Sequence, residues 1–150
     1  MTRIIKFLIV ACLCNGLVLP TLASTEFSEL LSRNAELIKK SSSKTIDPAL
    51  QEIQGFGGHQ AANFLTMWKD KKVFFVKESG SFVLAVPAGT DHEGRKMLTI
   101  TNITTNVELG TVPAKSVKQI KPNSGVRAKI ASAMVPFQLA SEDAEERVTG

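Results

Sequence analysis

The sequence predicts an α+β fold in which helices flank a small antiparallel sheet and a long amphipathic helix follows it. Three observations carry that prediction. Apolar residues recur at helical spacing over 26–40 and 59–69. Between 72 and 112 the pattern changes to short β-rich runs divided by turn residues. From Asn123 to Gln138 the helical spacing returns.

The first helix is expected over 26–40, with Phe27, Leu30, Leu31, Leu37 and Ile38 on its buried side. Thr25 is its expected cap. Glu26 and Glu29 suit the positive end of its dipole, and Lys39 and Lys40 the negative end. Ser41-Ser42-Ser43 reads as a linker. Asp47-Pro48 marks a second start: the carboxylate can accept from a free N–H, and proline at the first position forfeits no bond. Gly55-Phe56-Gly57-Gly58 ends this short helix. The next, 59–69, carries Ala61, Ala62, Phe64, Leu65 and Trp68 on one stripe.

Val73-Phe74-Phe75-Val76 and Phe82-Val83-Leu84-Ala85-Val86 form a hairpin over 72–86, turning at Ser79-Gly80. Their unbroken apolar runs predict strands covered on both faces. Residues 87–96 read as a polar loop, and strands follow near 97–103 and 107–112, with Pro113 closing the second. One or two helical turns are expected over Ala114–Ile120. Asn123 opens the long helix 123–138, whose apolar face is Val126, Ile130, Ala133, Met134 and Phe137. Pro136 should kink or stop it, because it cannot donate to the carbonyl of Ser132. Ser141 then looks like a fresh cap, with Glu142, Asp143, Glu145 and Glu146 in the first turn of a helix that has little body before Gly150.

Residues 1–23 have the three parts of a secretory signal. Arg3 and Lys6 form a positive head, Phe7 to Leu19 an apolar run, and Pro20-Thr21-Leu22-Ala23 a cleavage region. The chain is therefore expected to be exported, with 127 of its 150 residues in the mature protein. Cys12 and Cys14 both fall in the signal, so the mature chain has no thiol for catalysis, disulfides or zinc. The net charge of +4 includes Arg3 and Lys6; without them, 16 basic residues face 14 acidic ones and the balance is +2. That small excess does not imply a nucleic-acid partner.

No catalytic constellation stands out. Gly55-Phe56-Gly57-Gly58-His59 lacks both the lysine of a phosphate-binding loop and a preceding strand, so it reads as a hinge. His59 and His92 are far apart and lack a metal-binding spacing. There is no G-x-S-x-G elbow. Asn102-Ile103-Thr104 matches a glycosylation sequon but falls in a strand. Catalytic, cofactor-binding and metal-ligating residues are therefore all assigned as none. The one candidate surface is basic. Lys115, Lys118, Lys121, Arg127 and Lys129 follow one another with no acid between Leu109 and Ser141. The ordinary use of such a run is the solvated face of a helix; its functional use is to meet an acidic partner or lipid headgroups.

The order of pieces resembles a known family. A helix enters the hairpin as Phe64-Leu65-Thr66-Met67-Trp68-Lys69-Asp70-Lys71-Lys72-Val73-Phe74-Phe75-Val76-Lys77. Leu109-Gly110-Thr111-Val112-Pro113-Ala114 follows, and Asn123 to Arg127 leads the long helix toward Leu139-Ala140-Ser141-Glu142-Asp143. Over roughly 48–148 this is similar to the N-terminal extracytoplasmic region of the urea-type permease subunit of branched-chain amino acid ABC transporters. The chain departs from that pattern at Gly125-Val126-Arg127, where the family tends to carry adjacent arginines, and at Ser79-Gly80, often Asp-Gly there. It also holds neither the family's helical repeats nor its membrane domain.

The resemblance implies a non-catalytic segment on the periplasmic side of the inner membrane, in an importer of urea, amides or branched-chain amino acids. Its partners would be sister transporter subunits and a periplasmic solute-binding protein, and membrane association would come through the missing C-terminal part. Residues 24–140 would be the small α+β domain, and 141–150 the start of a truncated HEAT-like repeat region. The alternative is a free-standing periplasmic binding or adaptor domain. That reading uses the hairpin face or the basic stretch as its docking surface.

Overall fold

The computed structural model describes residues 22–140. Residues 1–21 of the expected signal peptide 1–23, and the expected repeat helix from Ser141, lie outside the described residues; Leu22 and Ala23 fall in the first helix. Five helices pack on one face of a five-stranded antiparallel sheet, which is the α+β architecture the patterning predicts.

The expected first helix is two: α1 (Leu22–Arg33) and α2 (Ala35–Lys39). The break falls at Asn34, whose amide Nδ2 donates to the carbonyl of Leu30 and to Oε2 of Glu52 on the helix that follows α2. Asparagine competes with the helical ladder through such local bonds. Because α1 begins at Leu22, Thr25 lies inside it and does not cap it. α3 (Asp47–Phe56) starts where Asp47-Pro48 predicts, but its N-cap is Ile46. The Asp47 carboxylate instead accepts from Nζ of Lys129 on the last described helix. Gly57 ends α3 and opens α4 (Gly58–Lys69). Gly57 and Gly58 have φ of 72° and 70°, which glycine adopts without the penalty a Cβ brings. α5 (Ser124–Leu139) is capped by Asn123, whose Oδ1 accepts from the N–H of Val126 at 2.9 Å. Pro136 does not stop it; the helix continues to Leu139, with the N–H of Ala140 bonded back to Pro136.

The strands are β1 (Val73–Val76), β2 (Phe82–Thr90), β3 (Lys96–Asn102), β4 (Glu108–Pro113) and β5 (Val117–Gln119). β1 and β2 form the expected hairpin, closed by a bond from the Gly80 N–H to Val76. β2 runs four residues further than predicted, with a register shift between Pro87 and Thr90, so the polar loop shrinks to 91–95. There Asp91 accepts from the N–H groups of Glu93 and Arg95, and from Nε of Arg95 at 2.7 Å. The expected helical turns over 114–120 reduce to one 3-10 turn, Ala114–Ser116, followed by β5.

The strand order is β4-β3-β2-β1-β5. In a flat sheet β4 and β5 would stand four strand spacings apart, about 19 Å. The 3-10 turn that joins them advances only about 2 Å per residue. The sheet must therefore curl until its two ends approach. Its concave face holds a core of its own: Val83, Ile100 and Val117, flanked by Phe74, Val76, Ala85, Leu98 and Val112, with all five strands represented. The convex face gives Val73 and Phe82, with half-buried Phe75, to the helical core. Alternate residues of Val73-Phe74-Phe75-Val76 thus serve two cores, as a strand covered on both faces requires. The helical core includes Phe27, Ile38, Ile53, Phe64, Leu65, Trp68, Val126 and Ile130. Phe64 links it to the sheet, with ring centroids 6.0 Å from Phe27, 5.7 Å from Trp68 and 6.2 Å from Phe82.

Candidate functional site: a lysine-rimmed groove

The five basic residues that run together in the sequence do not form one surface. Lys129 on α5 is held by Asp47 of α3. Arg127 is exposed on the same helix, but two positions along a helix place side chains about 200° apart. Lys115 is exposed in the 3-10 turn. Lys118 and Lys121 share a concavity, a groove of about 710 Å³ beside β5 that the other three do not line.

The other wall of that groove is α2 and its exit, with Lys39, Lys40 and Ser41. Folding thus brings two lysines from the first expected helix to two from the basic stretch. The antiparallel register sets Lys118 opposite Phe75, so both side chains stand on the same face of the sheet. Nζ of Lys39 lies 5.3 Å from the centroid of the Phe75 ring, a cation–π contact. The groove follows the β5 edge, so both faces of the sheet contribute apolar lining, Phe75 and Ile120 from the helical side and Phe74, Leu98 and Val117 from the other, with Gln119 contributing an amide.

One carboxylate answers this charge. Glu36 on α2 accepts Lys40 at 2.9 Å through Oε2 and Lys39 at 3.4 Å through Oε1. Its pKa is lowered from the ordinary carboxylate value, first by the Lys40 hydrogen bond and charge, then by Lys39. Lys118 and Lys121 have no ion-pair partner among the described residues. The groove therefore offers uncompensated positive charge above apolar surface. Sequence reading missed Lys39 and Lys40 because their place at a helix C-terminus already explained them; their convergence on β5 depends on tertiary contacts.

The remaining candidates stay apart. His59 lines a second groove, about 400 Å³ between α4 and α5, with Asn63, Thr66, Met134 and Phe137. His92 is exposed in the 91–95 turn. No three His, Cys, Asp or Glu residues are grouped to hold a metal ion among the described residues. Oδ1 of Asn102 accepts from the N–H groups of Thr104 and Thr105 and from the Thr104 hydroxyl, so the sequon asparagine holds the β3–β4 turn. Among the described residues no helix is long and apolar enough to cross a membrane. Comparison with protein-family models, curated proteins and solved structures finds no match to this chain.

Proposed function

We propose that the chain is an exported, non-catalytic binding or adaptor domain that docks a partner in the lysine-rimmed groove. The observation that carries this is the convergence of Lys39, Lys40, Lys118 and Lys121, with Glu36 the one carboxylate among the described residues paired to any of them. Like charges gathered around a concavity focus a field that attracts an anionic partner. Export is supported by the signal pattern of residues 1–23 and by the placement of the core. Phe27, Leu30 and Leu31, the buried residues of α1, all follow Ala23, so cleavage there leaves the described core whole.

A second reading sets this domain in the extracytoplasmic region of an ABC importer permease for urea, amides or branched-chain amino acids. It rests on the order of elements from Phe64 to Asp143. The groove would then face a sister subunit or a solute-binding protein.

A photo-crosslinking amino acid at position 118, introduced in living cells, tests the docking claim. The expected result is one discrete adduct with an extracytoplasmic protein; labelling without a discrete adduct would sink the proposal. If that protein is a transporter subunit or solute-binding protein, and the reading frame continues beyond codon 150 into membrane spans, the second reading holds. A stop codon there, with no transporter genes nearby, removes it.

A further inference from the structure

We infer that the groove takes an acidic, extended segment of a partner protein, and that Glu36 is a built-in competitor for it. The inference rests on the docking reading and adds the chemistry of the occupant. Charge complementarity selects carboxylates: Lys118 and Lys121 have no ion-pair partner among the described residues, and Lys39 and Lys40 already share one carboxylate at 3.4 and 2.9 Å. Glu36 thus displays the geometry an incoming glutamate or aspartate would adopt. Half-buried Phe74, Phe75 and Leu98 along the β5 edge offer apolar surface for a side chain between the acids. Four lysines, Ser41 and Gln119 line the groove beside these apolar residues, whereas an acyl-chain site is predominantly apolar. A peptide fits this mixture better than a lipid.

Glu36 is exposed on the short helix α2, and among the described residues its carboxylate pairs with Lys39 and Lys40 alone. Its removal would free two cations without opening the core. The Glu36→Gln variant should therefore bind an acidic ligand more tightly than the native chain, a gain of binding that fold damage does not produce.

The test uses the full chain and a labelled synthetic peptide that alternates glutamate with leucine, followed by fluorescence anisotropy. Comparison probes are the same peptide with lysine for glutamate, inorganic phosphate as a competitor, and phosphatidylglycerol vesicles. The acidic peptide should bind, and the lysine peptide should not. Lys118→Glu with Lys121→Glu should weaken binding about tenfold or more, and Glu36→Gln should strengthen it about threefold. Trp68, the single tryptophan and fully buried, reports the fold of each variant independently. Equal binding of both peptides, or binding of vesicles but not the peptide, overturns the peptide assignment. So does displacement by millimolar phosphate alone, which would make the groove a simple anion site. An unchanged or weaker affinity in Glu36→Gln overturns the competitor role. A crosslinked partner at position 118 without acidic-peptide binding would leave the docking reading standing and this inference refuted. Self-association of the chain alone on sedimentation would give the groove to its own acidic run, Glu142, Asp143, Glu145 and Glu146, and overturn the assignment to another protein.

Discussion

Gly125 shows how a single residue can set two effects against each other. It sits in the first turn of α5, where alanine is the better helix former by about 1 kcal/mol. A Cβ there would come within 2.9 Å of the Ser43 Cβ, a closer approach than side chains tolerate. Crowding of that kind costs about 1–3 kcal/mol and outweighs the propensity gain. Gly125→Ala should therefore lower stability, and adding Ser43→Gly should recover it in urea unfolding followed at Trp68. A stabilised single variant would contradict the close packing. Asn34 is the buried polar residue of the core region, 5% exposed and bonded to Leu30 and Glu52. Asn34→Ala should cost about 1 kcal/mol in the same assay, the value of a satisfied hydrogen bond; an unchanged midpoint would show that bond to be dispensable. Neither role was read from the sequence. The asparagine cap at Asn123 was legible because its partner is three residues away. The bond from Asn34 to Glu52 spans 18 residues, and no local pattern records it.

Among the elements, those with a strong local period were the legible ones. α3, α4 and α5 lie where apolar spacing and start residues put them, and the β1–β2 hairpin follows from its two apolar runs. β5 was missed for a physical reason. Three residues, Val117-Lys118-Gln119, carry almost no periodicity, and their strand state comes from pairing with β1 some forty residues earlier in the chain. The 91–95 turn was underestimated because Asp91 organises it more tightly than composition suggests. The backbone N–H of Arg95 and then its guanidinium hold the Asp91 carboxyl below its ordinary pKa. A depressed folded pKa gives a contribution that is present above the unfolded value, about 3.9, and lost as pH falls through the folded one. Titration of the Asp91 carboxyl by NMR should have its midpoint below about 3.9, with the Arg95 amide shifting in step. A midpoint at or above that value would remove Asp91 as the organiser of the turn.

Across the whole molecule, the curled sheet is the shared wall of two cores, and this ties the domain together. Ile100 belongs to the interior of the sheet, whereas Trp68 belongs to the helical core on its other face. If the two cores fold as one unit, Ile100→Ala should cost about 3 kcal/mol at Trp68 as well as in the sheet amides. An unchanged Trp68 transition would mean that the helices and the sheet interior unfold separately. The same large-scale geometry defines the candidate site. Sequence order grouped Lys115, Lys118, Lys121, Arg127 and Lys129; folding keeps two of them and recruits Lys39 and Lys40 from the far end of the domain. The α+β class was thus legible, but the grouping of lysines around the groove was not, because it depends on how β5 returns to β1.

The partition of those lysines gives the central claim its most direct test. With the crosslinker at position 118, adduct yield is compared between two double variants, Lys39→Glu with Lys121→Glu and Lys115→Glu with Arg127→Glu. Each replaces two positive charges, so net charge and long-range attraction change equally. Docking in the groove predicts loss of the adduct in the first variant and near-native yield in the second. Equal loss in both, or a selective loss in the second, would contradict it.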